Sequence, residues 1–225
     1  MAAATSGYEG PCTRGILDAA RAGDVEMPAA RVPSQRRRRR GVLPALPPRP
    51  GGGGLDAVRT CGGNTALHIA AGLGHAELAL FLCHAERPLL ELRNHAGETP
   101  LHLASKAGHA RVVGNLLDVL VSPADDYAAA AAAARAVNRS GETALHEAAR
   151  AGRPRGRDRV GDLAGVVSGD GASPLYLAAM EGHEGVVWRL LRRLPVGTMV
   201  SAASYAGPDG QTALHAAVLL RETGK

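Results

Sequence analysis

The sequence has few aromatic residues and few cysteines, and each shortage excludes a class of structure. Aromatic side chains make up 3% of the 225 residues, so a hydrophobic core must be built from Leu, Val and Ala. Cys12, Cys61 and Cys83 are widely spaced and form no C-x-x-C pair, which argues against both a disulfide framework and a zinc site. This cysteine usage is typical of a reducing compartment.

Long apolar runs are also missing. A membrane-spanning helix needs about 18 or more consecutive apolar residues, and the sequence contains no such run. Residues 1–10 lack the apolar segment of a secretory signal. These two absences predict a cytoplasmic chain.

Positive charge is concentrated near the start of the chain. The formal net charge is +5, and residues 1–60 carry ten Arg against five acids, whereas the remaining residues are balanced at sixteen of each sign. Only Lys106 and Lys225 are lysines, so a bias toward Arg accounts for part of the excess and the pI alone does not predict nucleic-acid binding. The run Arg36–Arg40 fits either a solvated linker or a patch for nuclear import, acidic partners or lipid headgroups.

One short phrase occurs five times. Successive copies begin 34, 44, 30 and 39 residues apart, a spacing typical of proteins that stack one helical unit repeatedly. Such a protein presents a continuous surface, which favours binding over catalysis in a single cleft. The copies are Thr65-Ala66-Leu67-His68, Thr99-Pro100-Leu101-His102, Thr143-Ala144-Leu145-His146, Ser173-Pro174-Leu175-Tyr176 and Thr212-Ala213-Leu214-His215.

The phrase marks the start of a short helix. A Thr or Ser oxygen can accept from unpaired N–H groups of the first turn, and a Pro is tolerated just inside it, as at Pro100 and Pro174. Glycines such as Gly74 and Gly108 then end the helix. The pattern predicts helices over residues 65–73, 76–84, 99–107, 110–117, 173–181 and 184–191.

Several segments interrupt the repeats. Residues 1–27 contain one helix of a degenerate opening repeat, and residues 28–59 are expected to form a disordered insert because Pro, Gly and Arg dominate them. The alanine run at 128–134 predicts extra helix or a tolerated low-complexity expansion. Pro154 and Gly156 predict that the third repeat lacks its second helix.

The second unit resembles an ankyrin repeat almost residue for residue, through Asn94, Gly97, Thr99-Pro100-Leu101-His102, Ala104, Gly108-His109, Val112-Val113 and Leu116-Leu117. The resemblance implies an all-α solenoid of helix-loop-helix units, about four to five repeats with degenerate ends. The array is expected over residues 60–225, with units near 60–93, 94–137, 138–167, 168–206 and 207–225, the last one truncated.

Three segments of the repeats also resemble one particular group of ankyrin proteins. Residues 63–71, 97–104 and 173–179 resemble the plant accelerated-cell-death-six-like ankyrin proteins, which continue into a C-terminal PGG domain with membrane-spanning helices. The resemblance implies a role in plant defence or stress signalling. It implies membrane attachment only for a longer form that carries that domain.

No enzyme, metal or cofactor site is predicted. Resemblance to ankyrin repeats implies that His68, His102, His146 and His215 hydrogen-bond loop backbone. Three more, His75, His109 and His183, follow the turn glycine, so of the nine histidines only His84 and His95 are left, too few for a metal site. His146-Glu147 begins a zinc-protease motif, but Arg150 occupies the second ligand position and a cation there repels zinc.

The predicted function is that of a protein–protein interaction scaffold or adaptor, with other proteins as partners and no nucleic acid expected. Analogy with ankyrin recognition places the contact residues at loop tips and on the first helix of each unit. Two alternatives stay open, a soluble regulator that enters the nucleus through Arg36–Arg40 and a truncated gene product without stable function. The predicted partner-binding residues are His95, Glu98, Lys106, Arg139, Glu142, Arg150, Met180 and Glu181.

Overall fold

A computed structural model describes residues 11–23, 54–120, 127–152, 165–193 and 202–222. In these ranges the chain forms ten α-helices, and its only strand-like pairings are two isolated bridges. The all-α prediction is therefore confirmed. The helices are α1 (Pro11–Ala22), α2 (Ala66–Leu73), α3 (Ala76–Ala85), α4 (Pro100–Ala107), α5 (Ala110–Leu120), α6 (Tyr127–Arg135), α7 (Ala144–Arg150), α8 (Pro174–Met180), α9 (Glu184–Arg193) and α10 (Ala213–Glu222).

The helices stack in two layers. In the first layer each first helix packs on the next one along the chain, from α1 through α2, α4, α7 and α8 to α10. The second helices α3 and α5 pack together behind α2 and α4. The core between the layers is aliphatic, as the composition predicted, and its largest fully buried members include Leu67, Leu82, Leu89, Leu116 and Leu175.

A buried histidine joins each of three repeats to the next. The Nε2–H of His68 donates to the carbonyl oxygen of Glu98 in the following repeat at 3.0 Å. A carbonyl can only accept, so Nε2 carries the proton and Nδ1 accepts from the Thr65 N–H at 3.2 Å. The same bonds recur at His102, which reaches Glu142, and at His146, which reaches Ala172, each at 3.1 Å.

The expected bond from the phrase histidine to loop backbone is thus confirmed in three repeats. In the fourth repeat Tyr176 replaces the histidine, and its hydroxyl donates instead to the side-chain oxygen of Gln211 at 2.7 Å. His215 in the fifth unit is exposed and keeps only the local bonds to Thr212 within the described residues.

A second link between repeats pairs a glycine with a histidine. Gly74 has φ +85°, and the ring of His109 from the next repeat lies so close that a Cβ on Gly74 would be 2.7 Å from it. His109 Nε2 donates to the carbonyl of Gly72 at 3.1 Å. Equivalent pairs are Gly23 with His75 and Gly152 with His183.

The opening helix belongs to this stack. The bond from His75 to the Arg21 carbonyl, 3.1 Å long, attaches the end of α1 to the first complete repeat. Ile16, Leu17 and Ala20 of α1 are buried in the same core. The helix therefore takes the place of the first helix of a repeat.

The predicted disordered insert is wrong at its C-terminal end. Within residues 54–59, Leu55 and Val58 are buried, and Leu55 begins a 3₁₀ turn at Leu55–Ala57. The Leu55 N–H donates to both carboxylate oxygens of Glu86, at 2.9 and 2.8 Å. Burial of two apolar side chains and this bond order the segment despite the glycines before it; residues 28–53 lie outside the described part.

The alanine run forms a helix of its own, α6, which packs between α5 and α7. The predicted loss of the second helix in the third repeat concerns residues 153–159, which lie outside the described ranges. No helix in the described ranges has the length and hydrophobicity needed to cross a bilayer.

Gly72 and Gly74, two residues apart at the end of α2, should change the stability of the fold in opposite directions when replaced by Ala. Gly74→Ala should lower the free energy of unfolding by about 1–2 kcal/mol or more, because an L-residue is strained at this φ and the new methyl meets His109. Gly72→Ala should raise it by about 0.5–1 kcal/mol, because Gly72 is helical and its nearest neighbour would be 3.7 Å away. Urea unfolding followed by circular dichroism measures both, and equal effects would contradict the proposed turn packing.

The buried histidines should make the fold acid-sensitive. Burial lowers the pKa of His68 to about 4, despite its bond to a carbonyl, and burial also lowers the pKa of His102 and His146. Below pH 6.5 the unfolded chain therefore takes up protons that the folded chain refuses, so stability is full above this pH and falls as pH drops toward 4. For His68 alone the loss is about 3 kcal/mol.

Urea unfolding at several pH values between 5 and 7.5 measures this loss. His68→Gln should reduce the slope of stability against pH, because it removes one of the three buried rings. A wild-type slope of zero over this range would show that the three histidines are not held neutral.

Candidate interaction surface

The loops that precede the first helices lie side by side. The His95 N–H donates to the Gly62 carbonyl at 3.0 Å, Arg139 N–H to Ala96 at 3.0 Å, and Gly169 N–H to Ser140 at 2.9 Å. Because the first helices also pack in series, loops and first helices form one continuous surface. We call it the first-helix face, comprising the exposed residues of 59–73, 92–107, 136–151 and 166–181.

The loops of the second and third units are each held by an asparagine at their base. The side-chain oxygen of Asn94 accepts from the N–H groups of Ala96 and Glu98, both at 2.9 Å, and Gly97 between them has φ +77°. Asn138 repeats the arrangement in the third unit with Ser140 and Glu142. The loop tips, where His95 and Arg139 lie, are therefore fixed by their own backbone.

Two arginines extend this link from loop to loop. Arg59 donates from Nη1 to the carbonyl of Arg93 at 3.1 Å. Arg93 in turn donates to Gly97 at 3.0 Å and to Val137 in the following loop. Sequence analysis missed this pair, although the 34-residue separation of Arg59 and Arg93 equals the step between the first two phrases and was visible.

Three carboxylates lie beneath this surface. Glu98, Glu142 and Glu147 are 9%, 8% and 4% exposed, and each contacts a cation or an amide. Lys106 Nζ lies 3.4 Å from Glu98 Oε1 and 3.7 Å from Glu147 Oε2, so one lysine bridges the second and third repeats. Arg150 pairs with Glu142, whose side chain lies eight residues earlier on the same repeat.

The electrostatics of Glu147 follow from its burial. Loss of solvent raises the pKa of the Glu147 carboxyl; Lys106 opposes that shift, and the carboxylates of Glu142 and Glu98 add to it. Asn138 also donates from its side-chain amide to Glu147 Oε1 at 3.4 Å. Lys106 is therefore the main group that favours the charged form of Glu147 in this cluster.

The eight predicted contact residues divide into three sets. His95, Lys106, Arg139 and Arg150 are exposed on the first-helix face of the second and third repeats. Met180 and Glu181 are exposed one repeat further along, at and after the end of α8. The remaining two need correction: Glu98 and Glu142 are buried, because each side chain turns inward to a cation, and they support the surface from below.

Apolar side chains also lie on this face. Ile69, Leu103 and Leu177 occupy the same position of α2, α4 and α8 and are half-buried, while Leu73 and Met180 are 51% and 41% exposed. Sequence analysis passed over Leu73, which directly precedes the glycine that ends α2. The first-helix face therefore combines hydrogen-bonded loop tips, exposed Lys and Arg side chains, and aliphatic patches.

Metal chemistry finds no support in the residues that the structure describes, since no three His, Cys, Asp or Glu side chains there are grouped to hold an ion. Burial raises the pKa of the Cys83 thiol to about 12, which keeps it protonated and unreactive.

The Lys106 bridge yields a test of the buried cluster. Lys106→Met should destabilise the fold, because Glu147 loses its cation while staying buried. The loss should be only about 1 kcal/mol, since about half of the Lys106 side chain is exposed to solvent, which weakens the pair. Adding Glu147→Gln should recover most of this loss. Urea denaturation of the wild type, the two single variants and the double variant gives the coupling free energy between Lys106 and Glu147.

An exposed ion pair serves as the control. Arg111 and Glu77 join α5 to α3 with side chains 74% and 63% exposed, so Arg111→Met should leave stability unchanged within error. If the Lys106 and Glu147 substitutions were simply additive, the two side chains would not be coupled as described.

Comparison with known proteins agrees with the repeats found in the structure. A family model of three consecutive ankyrin repeats matches residues 87–157, and the single ankyrin repeat model matches residues 62–94 and 170–196. A search of curated proteins found no match. Together the matched segments, 62–157 and 170–196, cover more than half of the chain, and they include both layers of helices described above. Ankyrin repeats generally mediate protein–protein interaction. The chain belongs to the ankyrin repeat proteins.

Proposed function

We propose that this chain is a non-enzymatic adaptor that binds another protein through its first-helix face. The observation that carries the proposal is the rigidity of that face: its loop tips are bonded to one another, and its cations are tied to buried carboxylates. A surface that is ordered before binding loses less conformational entropy when a partner docks. Rigid recognition is therefore the task for which the geometry is best suited.

The chemistry of the repeats supports binding over catalysis. Both ring nitrogens of His68, His102 and His146 are engaged within the protein, and burial keeps the rings neutral. A general base must reach the proton of a substrate, and these buried rings contact only protein. The proposed role is to hold a partner without making or breaking a bond.

The cellular setting of the adaptor is part of the proposal. Resemblance of the repeat phrases to plant accelerated-cell-death-six-like proteins supports a place in defence or stress signalling. The cysteine usage and the absence of long apolar runs support the cytoplasm. The nuclear alternative depends on Arg36–Arg40, which lies outside the described residues; comparing the location of a tagged chain with that of its Arg-to-Ala version distinguishes the two.

Site-specific photo-crosslinking tests the binding face. A photoreactive amino acid placed at residue 73, 139 or 180, all exposed on the first-helix face, should crosslink to a common partner in cells. The same amino acid at residue 77 or 111, exposed on the second helices, should not. The partner is then purified, and its affinity for the chain is measured by calorimetry.

Met180→Glu provides the quantitative arm of the test. This substitution on the exposed end of α8 should weaken the purified complex at least tenfold, whereas Glu77→Gln on α3 should have little effect. Crosslinks confined to residues 77 and 111, or equal affinities for both variants, would place binding elsewhere and refute the assignment.

A further inference from the structure

On the first-helix face of the first three repeats, exposed and buried charged side chains differ in sign. Throughout residues 59–73, 92–107 and 136–151, all of which the structure describes, every exposed charged side chain is a cation and every acid is buried. The buried acids are Glu98, Glu142 and Glu147. The exposed cations are Arg59, Arg93, Lys106, Arg139 and Arg150.

The sign of the surface reverses in the next repeat. Over residues 166–181 the exposed charged side chains are Asp170 and Glu181, and the segment contains no Lys or Arg. The first-helix face therefore has a positive stretch over three repeats that ends at an acidic border. A partner that follows the positive stretch meets repulsion if its own acids extend beyond it.

We infer, building on the adaptor function proposed above, that the partner presents an acidic segment with interspersed aliphatic side chains, which lies across the first three repeats. Its carboxylates meet Arg59, Arg93, Lys106, Arg139 and Arg150. Its aliphatic side chains contact Leu73 and the half-buried Ile69 and Leu103. Asp170 and Glu181 limit how far the acidic part extends.

The cations suit carboxylates because they keep donors toward solvent. Lys106 uses its ammonium on Glu98 and Glu147 at 3.4 and 3.7 Å, distances that leave both contacts loose. Arg139 holds its loop through its backbone N–H, at 3.0 Å from the Ala96 carbonyl, so its guanidinium is not needed for that bond. An arginine of this kind can bind a carboxylate with two parallel bonds.

A polypeptide fits this surface better than a nucleic acid does. Residues 59–73, 92–107 and 136–151 contain no Phe, Trp or Tyr on which bases could stack. The aliphatic patch at Leu73 matches side chains that a nucleic acid lacks.

A selection experiment with random peptides tests the inference. Phage displaying random twelve-residue peptides are selected on the immobilised full chain, and the enriched peptides are synthesised for fluorescence polarisation. We expect sequences in which Asp or Glu alternate with Leu, Ile or Val. Arg139→Glu should weaken their binding at least tenfold, and raising the salt concentration should weaken it further.

Arg111→Glu is the matched control, because it exchanges one exposed Arg for Glu on the second helices and should change affinity less than twofold. Equal losses in both variants would indicate attraction by net charge alone and overturn the inference. Enrichment of basic or uncharged peptides, absence of any enriched peptide, or tighter binding of a twenty-nucleotide single strand would also overturn it. The crosslinking result is independent of these peptides, so the adaptor function stands or fails separately.

Discussion

The structure depends on one buried hydrogen bond that recurs along the stack, from the Nε2–H of a phrase histidine to a backbone carbonyl of the next repeat. It fixes the tautomer of His68, His102 and His146, ties the start of each first helix through Nδ1, and sets the distance to the neighbouring loop. A buried polar ring without these partners would cost about 1–3 kcal/mol. Each repeat therefore specifies where its successor lies, and a chain almost without aromatic residues can stack small aliphatic units in register.

The same bond determines the chemistry of the surface. The carbonyl acceptors for His68 and His102 belong to Glu98 and Glu142, so the backbone of both acids is held against the preceding repeat. Their side chains consequently start below the surface, where each must find a cation. Lys106 and Arg150, eight residues later, supply it from the first helix. The link between repeats thus also positions these two cations, which are exposed on the first-helix face.

Much of the fold could be predicted from the sequence, because the repeated phrase contains the residues that begin a helix and is followed by the glycine that ends it. The Thr or Ser cap and the terminal glycine, with a Pro in the first turn of α4 and α8, placed α2, α4 and α8 within one residue of their positions. What could not be predicted depends on neighbours. Leu55 and Val58 are ordered by packing and by Glu86, which local composition does not reveal. Glu98 and Glu142 read as exposed polar residues next to a turn, since their burial is produced by the adjacent repeat and by cations on the following helix.

Two of the eight predicted contact residues, Glu98 and Glu142, are buried and the other six are exposed, and the difference follows from side-chain length. Lys and Arg can extend past a buried acid and keep their charged ends in water, whereas Glu at the base of a loop stays underneath. The pairs Glu98 with Lys106 and Glu142 with Arg150 show this order. In the fourth repeat the corresponding residues are Ala172, which is buried, and Met180, which is exposed, so the surface changes from cationic to apolar at the same register. Replacement of the acid and cation by Ala172 and Met180 therefore changes the chemistry of the surface and leaves the link between repeats in place, since His146 bonds the Ala172 carbonyl at the same 3.1 Å at which His102 bonds that of Glu142.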